Sequence, residues 1–294
     1  MYKKRTAFTL IELSIVILII GIIAAGITQS SRLITSFRIT SAQNLTKSSP
    51  VAGIENLVTW WEAVSEESFN DIESSDGVKI SSWRDINPQI NNKHNILQAN
   101  NSNKPIYRKS AIGGLPSLEF NGTSQYLELP YGDDLNTMDF TIFAVSQPIN
   151  APAANSYGTI FSSRSLTAKG YMLHVSSSLQ YQTWVGTNNL NWRGANITAS
   201  AILNKPILIC ATYNGSNNGS YTLYRNGSMQ ATTGYTPYSA NTTMPFRIGA
   251  GKNESAIPDF YFSGYIGEII MFNRILKIEE MALIDTYLKK KWGI

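Results

Sequence analysis

The chain has 294 residues, a formal net charge of +4, two histidines and one cysteine. Its length suits a short anchor with one sizeable domain or two small ones. A lone cysteine excludes an intrachain disulfide, and with only His94 and His174 beside it zinc sites of familiar spacing are excluded too.

Lys3, Lys4 and Arg5 crowd into the first seven residues, MYKKRTA, and leave the remainder a formal charge of about +1. The basic balance therefore gives no reason to expect a nucleic-acid partner. From Phe8 to Ile27 runs FTLIELSIVILIIGIIAAGI, twenty residues whose only charge is Glu12. A helix needs roughly 20 apolar residues to cross a bilayer core, so 8–27 is expected to be a transmembrane helix. The basic leader places its N-terminus in the cytoplasm and the C-terminal bulk outside. Glu12 is the anomaly, because a carboxylate near the centre of a membrane costs roughly 2.5–3.5 kcal/mol and calls for a partner. Gly21, Ala24, Ala25 and Gly26 are small enough to let such helices approach one another closely.

Residues 28–46 are polar, with Leu33, Ile34, Phe37 and Leu45 near helical spacing, and extend the helix into a stem. Ser48-Ser49-Pro50 ends it, since proline lacks a donor and biases its predecessor away from helix. The expected division is a leader 1–7, a transmembrane and assembly helix 8–27, a stem and linker 28–50, and a head 51–294.

Beyond Val51 the texture turns to short β segments broken by Asn, Gly and Ser. Asp139–Ser146 alternates with β-branched and aromatic residues, and Pro206–Tyr213 (PILICATY) reads as a buried strand in which Cys210 is an inert thiol. Tyr221–Arg225 meets Asn226-Gly227, a pair suited to a tight primed hairpin, and a strand resumes at Met229. Phe246–Gly249 and Tyr265–Asn273 complete the set. So many strands at short spacing predict a mainly β chain with an antiparallel sandwich of jelly-roll type. In the tail, Ile278, Met281, Ile284 and Leu288 recur at helical intervals. Acidic residues open that helix and Lys289–Lys291 close it, as its dipole favours, with Trp292 as a further anchor.

The order of basic leader, small residue, Phe-Thr-Leu-Ile-Glu and uncharged helix resembles the type IV prepilins. That resemblance implies a cut between Ala7 and Phe8 by a prepilin peptidase, N-methylation of Phe8, and Glu12 at the fifth mature position. There the carboxylate pairs with the amine of a neighbouring pilin-like subunit as helices stack into a filament, a strong attraction in low dielectric. The family usually has Gly where this chain has Ala7. The implied location is the bacterial inner membrane before assembly, then a surface fibre or the periplasm. A plain N-terminal anchor with an incidental glutamate is the alternative.

A second resemblance covers most of 51–294. Leu57-Val58-Thr59-Trp60-Trp61, Trp83-Arg84-Asp85, the run from Leu115 to Gly122, Thr141–Val145, Ala211–Gly215, Tyr224–Gly227 and the close from Phe262 to Ile294 look like laminin-G-type, concanavalin A-like jelly rolls. This implies a fold and leaves the ligand open, since such folds host lectins, adhesion modules, hydrolases and structural heads.

The adjacent acidic pairs Glu66-Glu67, Asp133-Asp134 and Glu279-Glu280 would point to opposite faces of a strand, whereas glycoside hydrolysis needs two facing carboxyls. No enzyme is expected. Calcium is the one cofactor the loops suit, with Asp133, Asp134 and Asn136 as candidate ligands and Asp85 with Asn87 as a second set, although each also suits a backbone-capping turn. For a glycan or another surface ligand, exposed aromatics beside amides are expected: Trp184, Asn188, Asn189, Asn191 and Trp192, then Tyr131, Tyr235 and Tyr238. Packing inside the sandwich or over a sheet edge is the alternative for both tryptophans. The expected function is a minor or tip pilin displaying an adhesive head, with a type II secretion pseudopilin and a membrane-anchored carbohydrate-active enzyme as alternatives.

Overall fold

A computed structural model describes residues 10–165, 167–187, 191–196, 202–215, 219–234, 238–252 and 257–294. Helix α1 (Leu10–Lys47) runs unbroken and stops where the Ser48 amide and hydroxyl both donate to the Asn44 carbonyl, just before Pro50 opens a 3-10 turn. Its first turns leave their apolar side chains exposed, Leu10 by 83%. Among the described residues no helix is long and apolar enough to cross a membrane. The expected span 8–27 takes in Phe8 and Thr9, which lie outside them.

The strands follow in chain order: β1 (Leu57–Glu62), β2 (Ser82–Trp83), β3 (Ile96–Leu97), β4 (Ile106–Ile112), β5 (Leu115–Asn121), β6 (Leu127–Leu129), β7 (Asp139–Pro148), β8 (Tyr157–Arg164) and β9 (Gly170–Ser176). Next come β10 (Tyr181–Gly186), β11 (Trp192–Asn196), β12 (Ile207–Asn214), β13 (Ser220–Arg225), β14 (Ser228–Thr233), β15 (Phe246–Ile248), β16 (Gly251–Lys252), β17 (Pro258–Asp259) and β18 (Ser263–Phe272). Helix α2 (Ile278–Trp292) ends the chain. One antiparallel sheet has the order β14-β13-β12-β7-β18-β5-β4 with β1 also on β18; the other runs β11-β10-β9-β8-β15-β6-β3-β2.

Between the sheets lies the larger core, fed by alternate residues such as Ile142, Ala144, Ile209, Ala211, Ile269 and Met271 of the first sheet and Phe161, Tyr171, Leu173 and Val185 of the second. The other face of the first sheet is covered as well: Trp60, Phe143, Val145, Leu208, Cys210 and Ile270 pack under α1 and α2. Burial on both faces is why PILICATY reads as one continuous apolar run. Burial also pushes the Cys210 thiol well above its ordinary pKa. Among the described residues, α1 and α2 pack on the first sheet and neither covers the outer face of the second.

The hairpin expected at Asn226-Gly227 is present, with both residues at positive φ and Arg225 paired to Ser228. A Cβ at Gly227 would fall 2.6 Å from the Asp285 carboxylate, so glycine also lets α2 rest on the turn.

Packing crosses the change of texture at Pro50: Ala42 and Thr46 are buried against the head, with Ile39 and Leu45 beside them. Leu33, Ile34 and Phe37, expected on the same stripe, are exposed instead, while Thr35, Ser36 and Ile39 face the head. In α2, Ile278 is exposed while Ile284, Tyr287, Leu288 and Trp292 are buried. Lys289–Lys291 close α2 as expected, and Lys291 in addition points inward, fully buried, to Glu62 of β1 and Glu268 of β18.

Candidate binding cavity on the second sheet

Strand β9 alternates Tyr171, Leu173 and Val175 into the core, so Met172 and His174 stand on the opposite, outer face. Antiparallel register then fixes their neighbours. Thr159 pairs with His174, Trp184 with Met172, and Gly186 with Trp192. A bulge in β8 between Thr159 and Phe161 keeps Thr159 on the outer face while Phe161 enters the core. Together with Tyr157, Arg164 and Phe260 these side chains enclose a cavity of about 190 Å³.

Its walls are aromatic. Tyr157 and His174 have ring centroids 4.4 Å apart, Tyr157 and Phe260 5.7 Å, and His174 and Trp184 5.9 Å. The Arg164 guanidinium carbon sits 4.7 Å from the centre of the Trp192 ring, a cation–π contact. Its polar content is sparse and specific. His174 Nε2 lies 3.0 Å from Gln182 Oε1, and donation to that oxygen leaves Nδ1 as an acceptor. Burial pushes the His174 pKa down to about 4, so the ring is neutral near pH 7. His174 Nδ1, Trp184 Nε1 and Thr159 Oγ1 are buried without a hydrogen-bond partner among the described residues. An unsatisfied buried polar group costs about 1–3 kcal/mol, which a ligand carrying hydroxyl or amide groups can recover.

The sequence marked two of these walls, Trp184 and Trp192. The amides expected between them, Asn188 and Asn189, lie outside the described residues, as does Tyr235. Asn191 is exposed beside Trp192 and its carbonyl accepts from Thr187. Tyr238 is a correction, because its ring packs on Tyr213 at 4.9 Å and on Phe140 at 6.3 Å, against the core. Tyr131 is half-buried and donates its hydroxyl to Asp133. His174, Arg164, Thr159 and Phe260 were missed; the one sequence cue was a histidine at an outward phase of the strand GYMLHVS.

The calcium candidates are not gathered round one point. Asp133 takes the Tyr131 hydroxyl, Asp134 Oδ2 lies 2.9 Å from His94 Nε2, and Asn136 is buried between Ser163 and the Gly132 carbonyl. Asp85 is spent on the Trp60, Asn87 and His94 amides, and Asn87 on the Leu57 and Val58 carbonyls. Among the described residues no group of three or more His, Cys, Asp or Glu side chains could hold a metal ion. The acidic pairs sit in 3-10 turns and in the first turn of α2 rather than on strands. Glu12 stands in the first turn of α1, while Ala7 and Phe8 lie outside the described residues.

Comparison with known proteins supplies two family matches. The model of the concanavalin A-like lectin/glucanases superfamily matches residues 121–282, and that of the prokaryotic N-terminal methylation motif matches residues 2–28. None of the curated proteins matches the sequence. Among solved structures, the binding domain of Paraclostridial Mosquitocidal Protein 1 superposes with a TM-score of 0.60 at 12% identity, over 81% of this chain and 55% of that one. A Trypanosoma rangeli sialidase bound to sialic acid gives 0.54 at 16%, over 89% and 39%. Domain 4 of a Geobacillus stearothermophilus GH43 arabinanase, bound to arabinotriose, gives 0.51 at 15%, over 78% and 98%. At these identities the likeness is one of fold.

Proposed function

We propose, since the chain belongs to the concanavalin A-like lectin/glucanases superfamily and carries a prokaryotic N-terminal methylation motif, that it is a pilin-like subunit whose head binds glycan. Processing between Ala7 and Phe8 leaves α1 as the assembly helix, held in the inner membrane until Glu12 meets the amine of a neighbouring subunit. The exposed Leu33, Ile34 and Phe37 of the stem offer further apolar surface to that neighbour. The subunit is a minor or tip component of a type IV pilus or related fibre, and the head is its adhesive part.

The observation that carries the glycan reading is the cavity of about 190 Å³ with its Trp184, His174 and Thr159 atoms that find no partner among the described residues. It opens on the face of the sandwich opposite the one covered by α1 and α2, so a fibre built through α1 leaves it accessible. A ring's apolar face suits Trp184 or Trp192, and its hydroxyls suit the unmatched donor and acceptors. Among the described residues the cavity's lining is aromatic apart from Thr159, Arg164, Met172 and His174, the mix of apolar walls and few polar groups that suits retention of a small ligand. Nearby solved folds bound to arabinotriose and to sialic acid are compatible with a saccharide ligand.

Fibres sheared from cells test the reading. The subunit is expected in the sheared fraction with an N-methylated Phe8 terminus, and those fibres are expected to hold to glycan-coated beads. A subunit retained in the cell envelope would favour the type II secretion pseudopilin, and Met1 as the mature terminus would remove the pilin reading altogether.

A further inference from the structure

Lys291, Glu62 and Glu268 are each completely shielded from solvent and in mutual contact, although α2, β1 and β18 supply one apiece. Lys291 Nζ touches Glu62 Oε1, lies 2.9 Å from Glu268 Oε2, and is flanked by the hydroxyls of Thr46 at 2.8 Å and Tyr287 at 3.0 Å. Two carboxylates against one ammonium leave an excess negative charge in a site shielded from solvent. Burial accordingly raises the pKa of Glu62, against the lowering effect of Lys291. A buried ion pair is a costly way to fill such a space, since each ion loses several kcal/mol of hydration.

The surroundings supply more than neutralisation. The Val64 and Ser65 amides donate to the two oxygens of Glu62 at 2.9 and 2.5 Å, a pair of fixed dipoles aimed at its carboxyl group. Glu268 is itself held in place by the indole N–H groups of Trp60 at 2.7 Å and Trp292 at 2.8 Å. An amine, a carboxyl polarised by backbone amides and a second carboxylate within reach of the amine are the components of a condensation.

We propose that Glu62 and Lys291 join in an intramolecular amide bond. Glu268 takes a proton from the Lys291 ammonium, and the freed Nζ lone pair attacks Cδ of the protonated Glu62 carboxyl. The Ser65 amide, on Oε2, stabilises the oxyanion of the tetrahedral adduct, and Oε1, the oxygen beside Nζ, is the one that departs. A further proton passes from Nζ to the departing hydroxyl through Glu268, the Cδ–OH bond breaks, and one water leaves. One proton stays on the new amide nitrogen and one on Glu268, so the site is neutral before and after, with no oxidant or activated donor required. Fixed proximity of the reacting groups supplies the effective concentration the step needs. Lys291 also lines a cavity of about 230 Å³ beside the stem, which offers the water an exit. The bond would tie the first strand of the head to the last helix, across 229 residues of sequence.

Intact-mass measurement of the full mature chain, purified in detergent, decides the matter together with tandem mass spectrometry of its digest. The expected result is a mass one water below that of the sequence and a branched peptide linking the segments that hold Glu62 and Lys291. Full sequence mass, with both residues recovered in linear peptides, would overturn the bond. Glu268→Gln is expected to restore full mass while near-ultraviolet circular dichroism shows a folded head; loss of water persisting in that variant would overturn the role of Glu268. Lys291→Arg keeps the cation but has no nucleophilic amine, and is expected at full mass with a lower unfolding temperature. A water-loss product in that variant would overturn the assignment of Lys291.

Discussion

Arg164 and Trp192 meet at the rim of the cavity, the guanidinium carbon 4.7 Å from the ring centroid, so the end of β8 reaches across the outer face of β9 and β10 to the edge strand β11. Trp192 is therefore a wall placed by its neighbour rather than a residue of the core. Trp192→Ala is expected to weaken glycan binding about tenfold, equivalent to about 1.4 kcal/mol, with little change in melting temperature because the residue is only half-buried. Isothermal titration and a thermal melt of the same variant check both halves of the statement.

Trp184 acts differently, since its buried Nε1–H has no partner among the described residues. Trp184→Phe keeps most of the ring and deletes the donor. It is expected to bind glycan more weakly by about 1–3 kcal/mol if the ligand takes that hydrogen bond, and to be at least as stable as the parent in urea unfolding.

Gly267 on β18 gives Trp292 its seat. A Cβ there would fall 2.5 Å from the indole ring. Gly267→Ala is expected to cost about 1–3 kcal/mol through overpacking, read as a lower unfolding midpoint and earlier proteolysis at the junction of stem and head.

His94 ties three segments together. Its Nδ1 lies 3.0 Å from the Val58 carbonyl and 3.5 Å from Asp85, and its Nε2 lies 2.9 Å from Asp134. Burial lowers its pKa, but the hydrogen bond to Asp85 and the charges of Asp134 and Asp85 outweigh it, and the net shift is upward. A raised folded value means the protonated ring stabilises the fold fully below the unfolded pKa of about 6.5. That contribution is lost as pH rises through the higher folded value. Denaturation midpoints from pH 5 to pH 9 should fall over that window, and His94→Gln should flatten the slope.

Local chemistry made much of this molecule legible in advance. Asn226-Gly227 announces its hairpin because the two positive φ values it needs are specific to those residue types. The end of α1 just before Pro50 and the buried strand in PILICATY were likewise visible, one from a missing donor and the other from an unbroken apolar run. What escaped depends on pairing at a distance. His174 meets Trp184 and Thr159 only because β9 lies between β8 and β10 in one particular register, displaced by a bulge that the sequence does not advertise. Tyr238 looked like a surface aromatic in a polar loop, yet its ring completes a cluster with Tyr213 and Phe140. Lys291 sits among three lysines, and nothing local tells which one turns inward to Glu62 and Glu268.

Glycan-array binding of the full mature protein in detergent, with Trp184→Ala/Trp192→Ala alongside, tests the central claim most directly. Selective signal on a defined set of saccharides, lost in the double variant while its melting curve is unchanged, is the predicted result. Equal signal from both proteins, or none from either, would contradict a glycan-binding head.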